Sequence, residues 1–219
     1  MKLNRPLTIA FWRLLLCLML GLSLSAAQAD QLLAPQLVIQ DTSDTLQKNL
    51  QQDEYKQDFL KATQFVDKTI DPHVDFNRVS ALVLGKYWKT ANDAQKERFR
   101  QEFKTLLVRT YATAFTEYAD WTIRYLPLKM EPEEDKVVVK TEILQPGAAP
   151  TAVDYRMANV GGEWKVYDIL IEGVSLLQNY RTSFGQEIAQ SGSLDGVINR
   201  LAERNSAALK QPTKEAIKG

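Results

Sequence analysis

Apolar residues recur at intervals of three and four along the first half of the chain, which is the spacing of one face of an α-helix. The pattern predicts four helices, at residues 37–50, at residues 55–70, from about residue 75, and from residue 92 or 93 onward. The last helix is long and amphipathic, and its apolar face carries Phe99, Phe103, Leu106, Leu107, Thr110, Tyr111, Ala114, Phe115 and Tyr118. We expect the rest of the domain to pack against this face.

After the long helix the apolar period changes from about 3.6 residues to 2, the alternation that is typical of β-strands. Four strands are predicted, at residues 121–126, 136–144, 152–160 and 163–171. The connections between them are rich in turn residues, and the Gly161-Gly162 pair suits a two-residue hairpin. Short connections between successive strands predict a twisted antiparallel sheet with one apolar and one polar face.

Two further helices are predicted after the strands, at about residues 174–189 and 194–201, and residues 206–219 form a polar tail. Helices, then a meander of strands, then helices again predict an α+β domain that covers residues 30–205. In this arrangement the four-stranded sheet is wrapped with helices and curves around the long one.

The N-terminal segment has the features of a cleavable signal peptide. Lys2, Arg5 and Arg13 supply positive charge, residues 14–24 are rich in leucine, and residues 27–29 (AQA) fit the small-residue cleavage pattern. The apolar run is well short of the roughly 20 residues that a membrane-spanning helix needs. We therefore predict that residues 1–29 are removed and that the mature protein is exported.

Charge and cysteine content exclude several classes of function. Without the basic residues of the signal, the chain has 24 Lys and Arg against 27 Asp and Glu, a formal charge of about −3. A domain that binds nucleic acid is usually strongly basic, so no nucleic-acid partner is expected. The only cysteine, Cys17, lies in the signal, so the mature chain can form neither a disulfide nor a cysteine-based zinc site.

The sequence offers few groups for catalysis. Its one histidine, His73, follows Pro72 at a predicted helix end, and we interpret it as a surface or capping residue. Motifs for metal or nucleotide binding are missing, and the acidic cluster at residues 131–135 is typical of a solvated turn. We therefore predict no metal, no cofactor and no enzymatic activity. Asp168, in an otherwise apolar strand, is either a hydrogen-bonded structural carboxylate or a general base.

Three segments of the sequence resemble one known family. They are residues 83–89 (VLGKYWK), residues 103–111 (FKTLLVRTY), and the stretch 164–181, which contains WKVYD, EGVSL and NYR in that order. The third segment is the most specific, because few unrelated proteins combine its three motifs. Over about residues 33–205, the sequence is similar to the MlaC family, also called the toluene-tolerance auxiliary proteins.

The resemblance implies a fold like the nuclear-transport-factor cone, with a helical subdomain and an internal apolar cavity for lipid tails. The residues predicted to line this cavity are Leu84, Phe103, Leu107, Tyr111, Val139, Tyr155, Met157, Val166, Ile169 and Val174. Tyr180 and Arg181 are predicted to lie at its mouth, near the lipid head group. Periodicity alone does not separate a cavity from a dry core, because the same apolar residue types line both.

The resemblance also implies a function: a periplasmic phospholipid carrier in a Gram-negative ABC transport system that maintains outer-membrane lipid asymmetry. Its expected partners are phospholipid as cargo, an outer-membrane lipoprotein–porin complex and an inner-membrane ABC transporter complex. Two alternatives stay open. One is an enzyme that uses Asp168 as general base and Tyr155 or Tyr167 as proton donor. The other is a periplasmic chaperone with an exposed apolar groove.

Overall fold

The computed structural model describes residues 31–117 and 120–210, with the side chains of residues 113–117 outside the description. The predicted signal peptide and the last nine residues of the predicted tail therefore lie outside the described residues. In chain order the described helices are α1 (Ala34–Leu50), α2 (Asp53–Gln57), α3 (Phe59–Ile70), a 3₁₀ turn (Asp71–His73), α4 (Phe76–Leu84), α5 (Lys86–Thr90), α6 (Asp93–Glu117), α7 (Leu176–Ser191) and α8 (Leu194–Lys210). The strands are β1 (Thr122–Tyr125), β2 (Lys136–Leu144), β3 (Thr151–Val160), β4 (Glu163–Ile171) and β5 (Val174–Ser175).

The strands form one antiparallel sheet in the order β1-β2-β3-β4-β5. The α+β class and the antiparallel meander agree with the sequence prediction, but the prediction of four strands was wrong, since the described residues contain five. The missed strand, β5, has only two residues and pairs with the end of β4 after a tight turn at Glu172 and Gly173. Two residues are too few to show an alternating pattern, so residues 174 and 175 were predicted as the start of a helix.

Short polar side chains determine where several helices begin. Asp58, Asp75 and Ser175 each accept a hydrogen bond from the backbone N–H three residues further on, at the start of α3, α4 and α7. Asp58 has extended backbone angles, which is why the helix predicted over residues 55–70 is divided into α2 and α3. Gly85, with a φ of 55°, ends α4 and separates it from the short α5.

The last helix is longer than its apolar pattern predicted. It continues through residue 205, the predicted end of the domain, as far as Lys210. Leu209, on this extension, packs against the apolar cluster formed by α1, α3 and α6. Packing against another element therefore keeps the segment helical, although most of its residues are polar.

Three apolar clusters hold the domain together. The first joins α4, α6, α7 and α8 around Phe99 and Phe103. The second joins α1, α3 and α6 around Leu50 and Val108. The third lies between α1 and the sheet, around Val139 and other inward residues of β2, β3 and β4. The long helix α6 contributes to the first two clusters, so it packs against helices on both of its sides. Among the described helices, none has both the length and the hydropathy to cross a bilayer.

Candidate functional site: an apolar cavity between the sheet and the helices

A cavity of about 380 Å³ lies where the three apolar clusters meet. Helix α1 contributes Ile39 and Leu46 to its wall, and α6 contributes Phe103 and Leu107. The inner face of the sheet closes the opposite side. A volume of this size is in the range of small-molecule binding sites, which is about 300–1,000 Å³. The arrangement therefore provides a space for an apolar ligand rather than a filled core.

The structure brings six of the ten residues predicted to line a cavity to the wall of this one. They are Phe103, Leu107, Tyr111, Tyr155, Val166 and Ile169. Tyr180, predicted at the mouth, also contributes to the wall. These residues come from α6, β3, β4 and α7, so the site depends on the tertiary fold and not on one segment. Whether they contact lipid stays a prediction.

The other residues of that prediction lie elsewhere. Leu84 is buried in the helical cluster, and Val139 and Met157 are fully buried in the cluster under the sheet. Val174 is 53 % exposed, because it belongs to the short edge strand β5. Arg181 does not line the cavity and contacts the end of α4.

Arg181 instead joins α7 to the end of α4. Its guanidinium donates a hydrogen bond to the backbone carbonyl oxygen of Leu82 at 3.4 Å. It also lies directly against Gly85, where an added Cβ would be 3.2 Å from one of its terminal nitrogens. The absence of a side chain at residue 85 leaves room for the arginine, so the VLGKYWK and NYR segments that resemble the MlaC family meet in space.

Several residues of the wall were not among the predicted lining residues. The sheet contributes Ile123, Ile143, Val153 and Ile171, which are half-buried. Ile123 is opposite Ile143, and Val153 is opposite Ile171, so all four point to the same face. The alternating pattern of β2 and β3 already placed Ile143 and Val153 on the apolar face. Extending the predicted apolar face to the ends of β2 and β3 would therefore have identified Ile143 and Val153 as wall residues.

The side chain of Asp168 lines the cavity, is only 2 % exposed, and accepts hydrogen bonds at both oxygens. Its Oδ1 accepts from the backbone N–H of Leu177 at 3.1 Å, and its Oδ2 accepts from the hydroxyl of Ser175 at 2.8 Å and from Arg156 at 3.1 Å. These contacts tie β4 to the first turn of α7, beside the cavity. They fit a structural carboxylate, because a general base needs a free oxygen that faces its substrate.

Burial favours the neutral form of three phenol groups at the cavity wall. Burial raises the pKa of Tyr155 and of Tyr111, and it also raises the pKa of Tyr180. Tyr111 and Tyr180 both line this wall, and the Tyr180 ring packs edge-to-face against Phe103, with centroids 5.1 Å apart. The wall therefore offers hydrogen-bonding groups without a phenolate charge, in a surface that is otherwise mainly apolar.

His73 lies at the cavity edge, at the end of the 3₁₀ turn, and is half-buried. The described residues contain no group of three or more His, Cys, Asp or Glu side chains that could hold a metal ion.

Fold and site define a class: an α+β binding protein with an internal apolar cavity. The chain belongs to the MlaC family, whose model, described as "MlaC protein", matches residues 40–203. This finding confirms the resemblance seen in the sequence.

Two relatives and one solved structure are similar over most of the chain. The toluene tolerance protein ttg2D of Pseudomonas putida is 27% identical over 82% of this chain and 87% of its own length. The intermembrane phospholipid transport system binding protein MlaC of Haemophilus influenzae is 30% identical, over 80% of this chain and 84% of its own length. A phospholipid-binding protein of Ralstonia solanacearum, solved in complex with a phospholipid, is 31% identical with a TM-score of 0.74, and the match covers 81% of this chain and all of that one.

Proposed function

We propose that this protein is a periplasmic phospholipid carrier of the Mla system, and that its cavity holds the acyl tails of its cargo. The observation that carries the proposal is the apolar cavity at the meeting point of the three clusters. Family membership and a relative that binds a phospholipid support the same ligand class.

The energetics of lipid transfer explain why such a cavity is needed. Burial of one methylene group is worth about 0.8 kcal/mol, so exposure of two ordinary acyl tails to water costs on the order of 20 kcal/mol. Free diffusion of a phospholipid across an aqueous compartment is therefore negligible. Transfer from a bilayer into an apolar cavity is nearly neutral, because one apolar environment replaces another.

Because that transfer is nearly neutral, the direction of transport has to come from partners. We infer that these are an outer-membrane lipoprotein–porin complex and an inner-membrane ABC transporter complex, with ATP used by the transporter. The same proposal includes export by a signal peptide over residues 1–29 and a cone-shaped fold of the nuclear-transport-factor type. It includes neither a cofactor nor a catalytic role for Asp168.

The first experiment is native mass spectrometry, with lipid extraction, on mature protein purified from the periplasm without detergent. We expect close to one phospholipid molecule per chain. A protein that is empty, and that also takes no lipid from vesicles, would contradict the proposal. It would return attention to the enzyme and chaperone alternatives.

A pair of variants tests whether this cavity is the binding site. Val153→Glu places a carboxylate on the half-buried cavity wall, where desolvation of the charge competes with lipid tails. The matched control, Val138→Glu, places the same group on the neighbouring strand at a residue that is 40 % exposed. We expect Val153→Glu to lose at least about tenfold in bound lipid, which corresponds to about 1.4 kcal/mol, and Val138→Glu to keep it. Equal lipid content in the two variants would place the lipid elsewhere.

A further inference from the structure

A second pocket, of about 510 Å³, adjoins the apolar cavity along helices α1 and α3. Thr42 of α1 and His73, in the 3₁₀ turn after α3, contribute to the walls of both spaces. Helix α3 turns neighbouring faces to them, since Val66 and Ile70 line the cavity and Lys68 lines the second pocket. A lipid whose tails occupy the cavity therefore has this pocket within reach of its head group.

The second pocket differs from the cavity because it carries both signs of charge. Asp41 of α1 supplies a carboxylate to its wall, and Lys68 of α3 supplies an ammonium group. Both side chains are exposed, and neither makes an ion pair or a side-chain hydrogen bond with any residue that the structure describes. Two opposite charges that share a pocket without pairing leave room for a ligand that carries both charges itself.

The carboxylates that are closest to Lys68 in sequence are already bound elsewhere. Asp67 and Asp71 both pair with the ammonium group of Lys104 on α6, at 2.9 and 2.8 Å. Lys68 is thus available for an anion from outside the protein. His73 adds a second donor to the same wall, because an imidazole ring carries an N–H in either charge state. These donors suit a phosphate, whose oxygens accept strong hydrogen bonds from cations.

Two threonine hydroxyls of the pocket can act only as acceptors towards a ligand. The hydroxyl of Thr42 donates its hydrogen to the backbone carbonyl oxygen of Val38 at 2.7 Å, and the hydroxyl of Thr69 donates to that of Phe65 at 2.9 Å. A hydroxyl has one hydrogen, so only its lone pairs remain. With the carboxylate of Asp41 they match an ammonium group, which has only donors.

Aromatic packing holds one wall of this pocket in place. The rings of Tyr55 on α2 and Phe65 on α3 have centroids 5.0 Å apart, and both residues line the pocket. Both also pack against the apolar cluster formed by α1, α3 and α6. The pocket is therefore part of the fold and does not depend on exposed side chains alone.

We propose that the second pocket binds a zwitterionic phospholipid head group, with Lys68 and His73 on its phosphate and Asp41 on its ammonium group. Phosphoethanolamine carries these two charges a few bonds apart, and its primary ammonium group has three N–H donors for the carboxylate and the threonine oxygens. The inference rests on the proposed function, since it assigns the head group of the lipid whose tails fill the cavity.

The test is competition among three lipids with identical acyl chains. Vesicles contain equal amounts of phosphatidylethanolamine, phosphatidylglycerol and diacylglycerol, and mass spectrometry measures how much of each the lipid-free protein takes up. Asp41→Asn should lower the ratio of phosphatidylethanolamine to phosphatidylglycerol about two- to fivefold relative to the wild type, which is the contribution of an exposed ion pair. Only the first of these lipids has an ammonium group, so the ratio of phosphatidylglycerol to diacylglycerol should not fall.

Lys68→Gln should give the complementary result. Both phospholipids carry a phosphate, so the uptake of each should fall about two- to fivefold relative to diacylglycerol. The ratio of phosphatidylethanolamine to phosphatidylglycerol should change less than it does in Asp41→Asn. The two variants thus separate the two charges of the head group.

The matched controls are Asp44→Asn and Lys48→Gln, which remove the same charges from exposed residues of α1 that line neither space. Their lipid ratios should equal those of the wild type. Wild-type ratios in either Asp41→Asn or Lys68→Gln, or equal changes in a variant and its control, would overturn the head-group site. A wild type that takes up none of the three lipids would instead contradict the proposed carrier function, so the two failures are distinguishable.

Phosphoethanolamine itself separates a lipid head group from a free solute. If it raises the Tm of the lipid-free wild type but not of Asp41→Asn, while both proteins take up the three lipids in the same ratios, the pocket binds a small zwitterion and the head-group assignment is wrong. A change of the lipid ratio in Asp41→Asn, with or without such a shift in Tm, supports the assignment.

Discussion

The inner face of the sheet has two ends that look alike in sequence and differ in structure. At the closed end, Val137, Val139 and Met157 are buried against α1 and the segment between β1 and β2. At the open end, Ile143 and Val153 lie on the same face of the same strands but are half-buried and line the cavity. The difference comes from what covers each end. Strand pairing determines which face a residue occupies, and the helices opposite determine whether that face is packed or left open.

The largest expected contrast between the two ends is in stability. Met157→Ala removes a fully buried side chain from the closed end and should lower the free energy of unfolding by about 2–5 kcal/mol, because it leaves a new cavity. Ile143→Ala removes a side chain that already borders an open space, so we expect a loss of about 1 kcal/mol or less. Urea unfolding of both variants measures the difference. Equal losses would mean that the open end is packed as tightly as the closed end.

The sequence predicted the faces of the strands but not this contrast. Val139, Met157, Tyr155 and Val166 all read as inward apolar positions, and the first two lie in the dry core while the others line the cavity. No local pattern separates these pairs, because the separation depends on the distance to helices that are far away in sequence.

Two other features differ from the sequence prediction because they also depend on contacts between segments that no local pattern shows. The two-residue strand β5 depends on pairing with β4. The place of Arg181 depends on the open space at Gly85, about a hundred residues earlier. The class of fold, the strand limits and the long helix could be predicted, since each has its own periodicity.

A second contrast concerns Asp168, whose hydrogen bonds join β4 to the start of α7 beside the open end. Asp168→Ala removes the buried carboxylate that binds Arg156, Ser175 and the backbone of Leu177. We expect a loss of about 2–3 kcal/mol in the free energy of unfolding, because three donors lose their acceptor, a buried carboxylate. The matched control is Glu163→Ala, in the same strand. Its carboxylate is 73% exposed and its ion pair with Lys165 should contribute at most about 1 kcal/mol.

The lipid content of an Asp168 variant tests whether the hydrogen bonds of this carboxylate also matter for the cavity. If Asp168 only positions α7, then Asp168→Asn, which keeps an acceptor oxygen, should retain bound lipid and lose less stability than the alanine variant. Lipid content and urea unfolding of the same preparation test both parts. A screen in which Asp168→Asn abolishes an enzymatic activity of the wild type while lipid stays bound would instead support the general-base alternative.

The smallest expected effect is a change in the stability of the closed end at alkaline pH, caused by Tyr125. Burial raises the pKa of Tyr125, which packs against the closed-end cluster, to about 12. In the unfolded chain its pKa is about 10. Its contribution to stability is therefore complete below about pH 10 and is lost as the pH rises towards 12, because the unfolded state then releases a proton that the folded state keeps.

Tyr125→Phe should accordingly leave the pH dependence unchanged below about pH 10 and reduce the loss of stability between pH 10 and 12 by about 1–2 kcal/mol. Urea unfolding at several pH values measures this, with the wild type as reference. Part of the alkaline loss must persist in the variant, because burial also raises the pKa of Tyr155 and Tyr111 at the cavity wall. An identical pH profile in variant and wild type would mean that water reaches Tyr125, and that the closed end is less dry than its packing indicates.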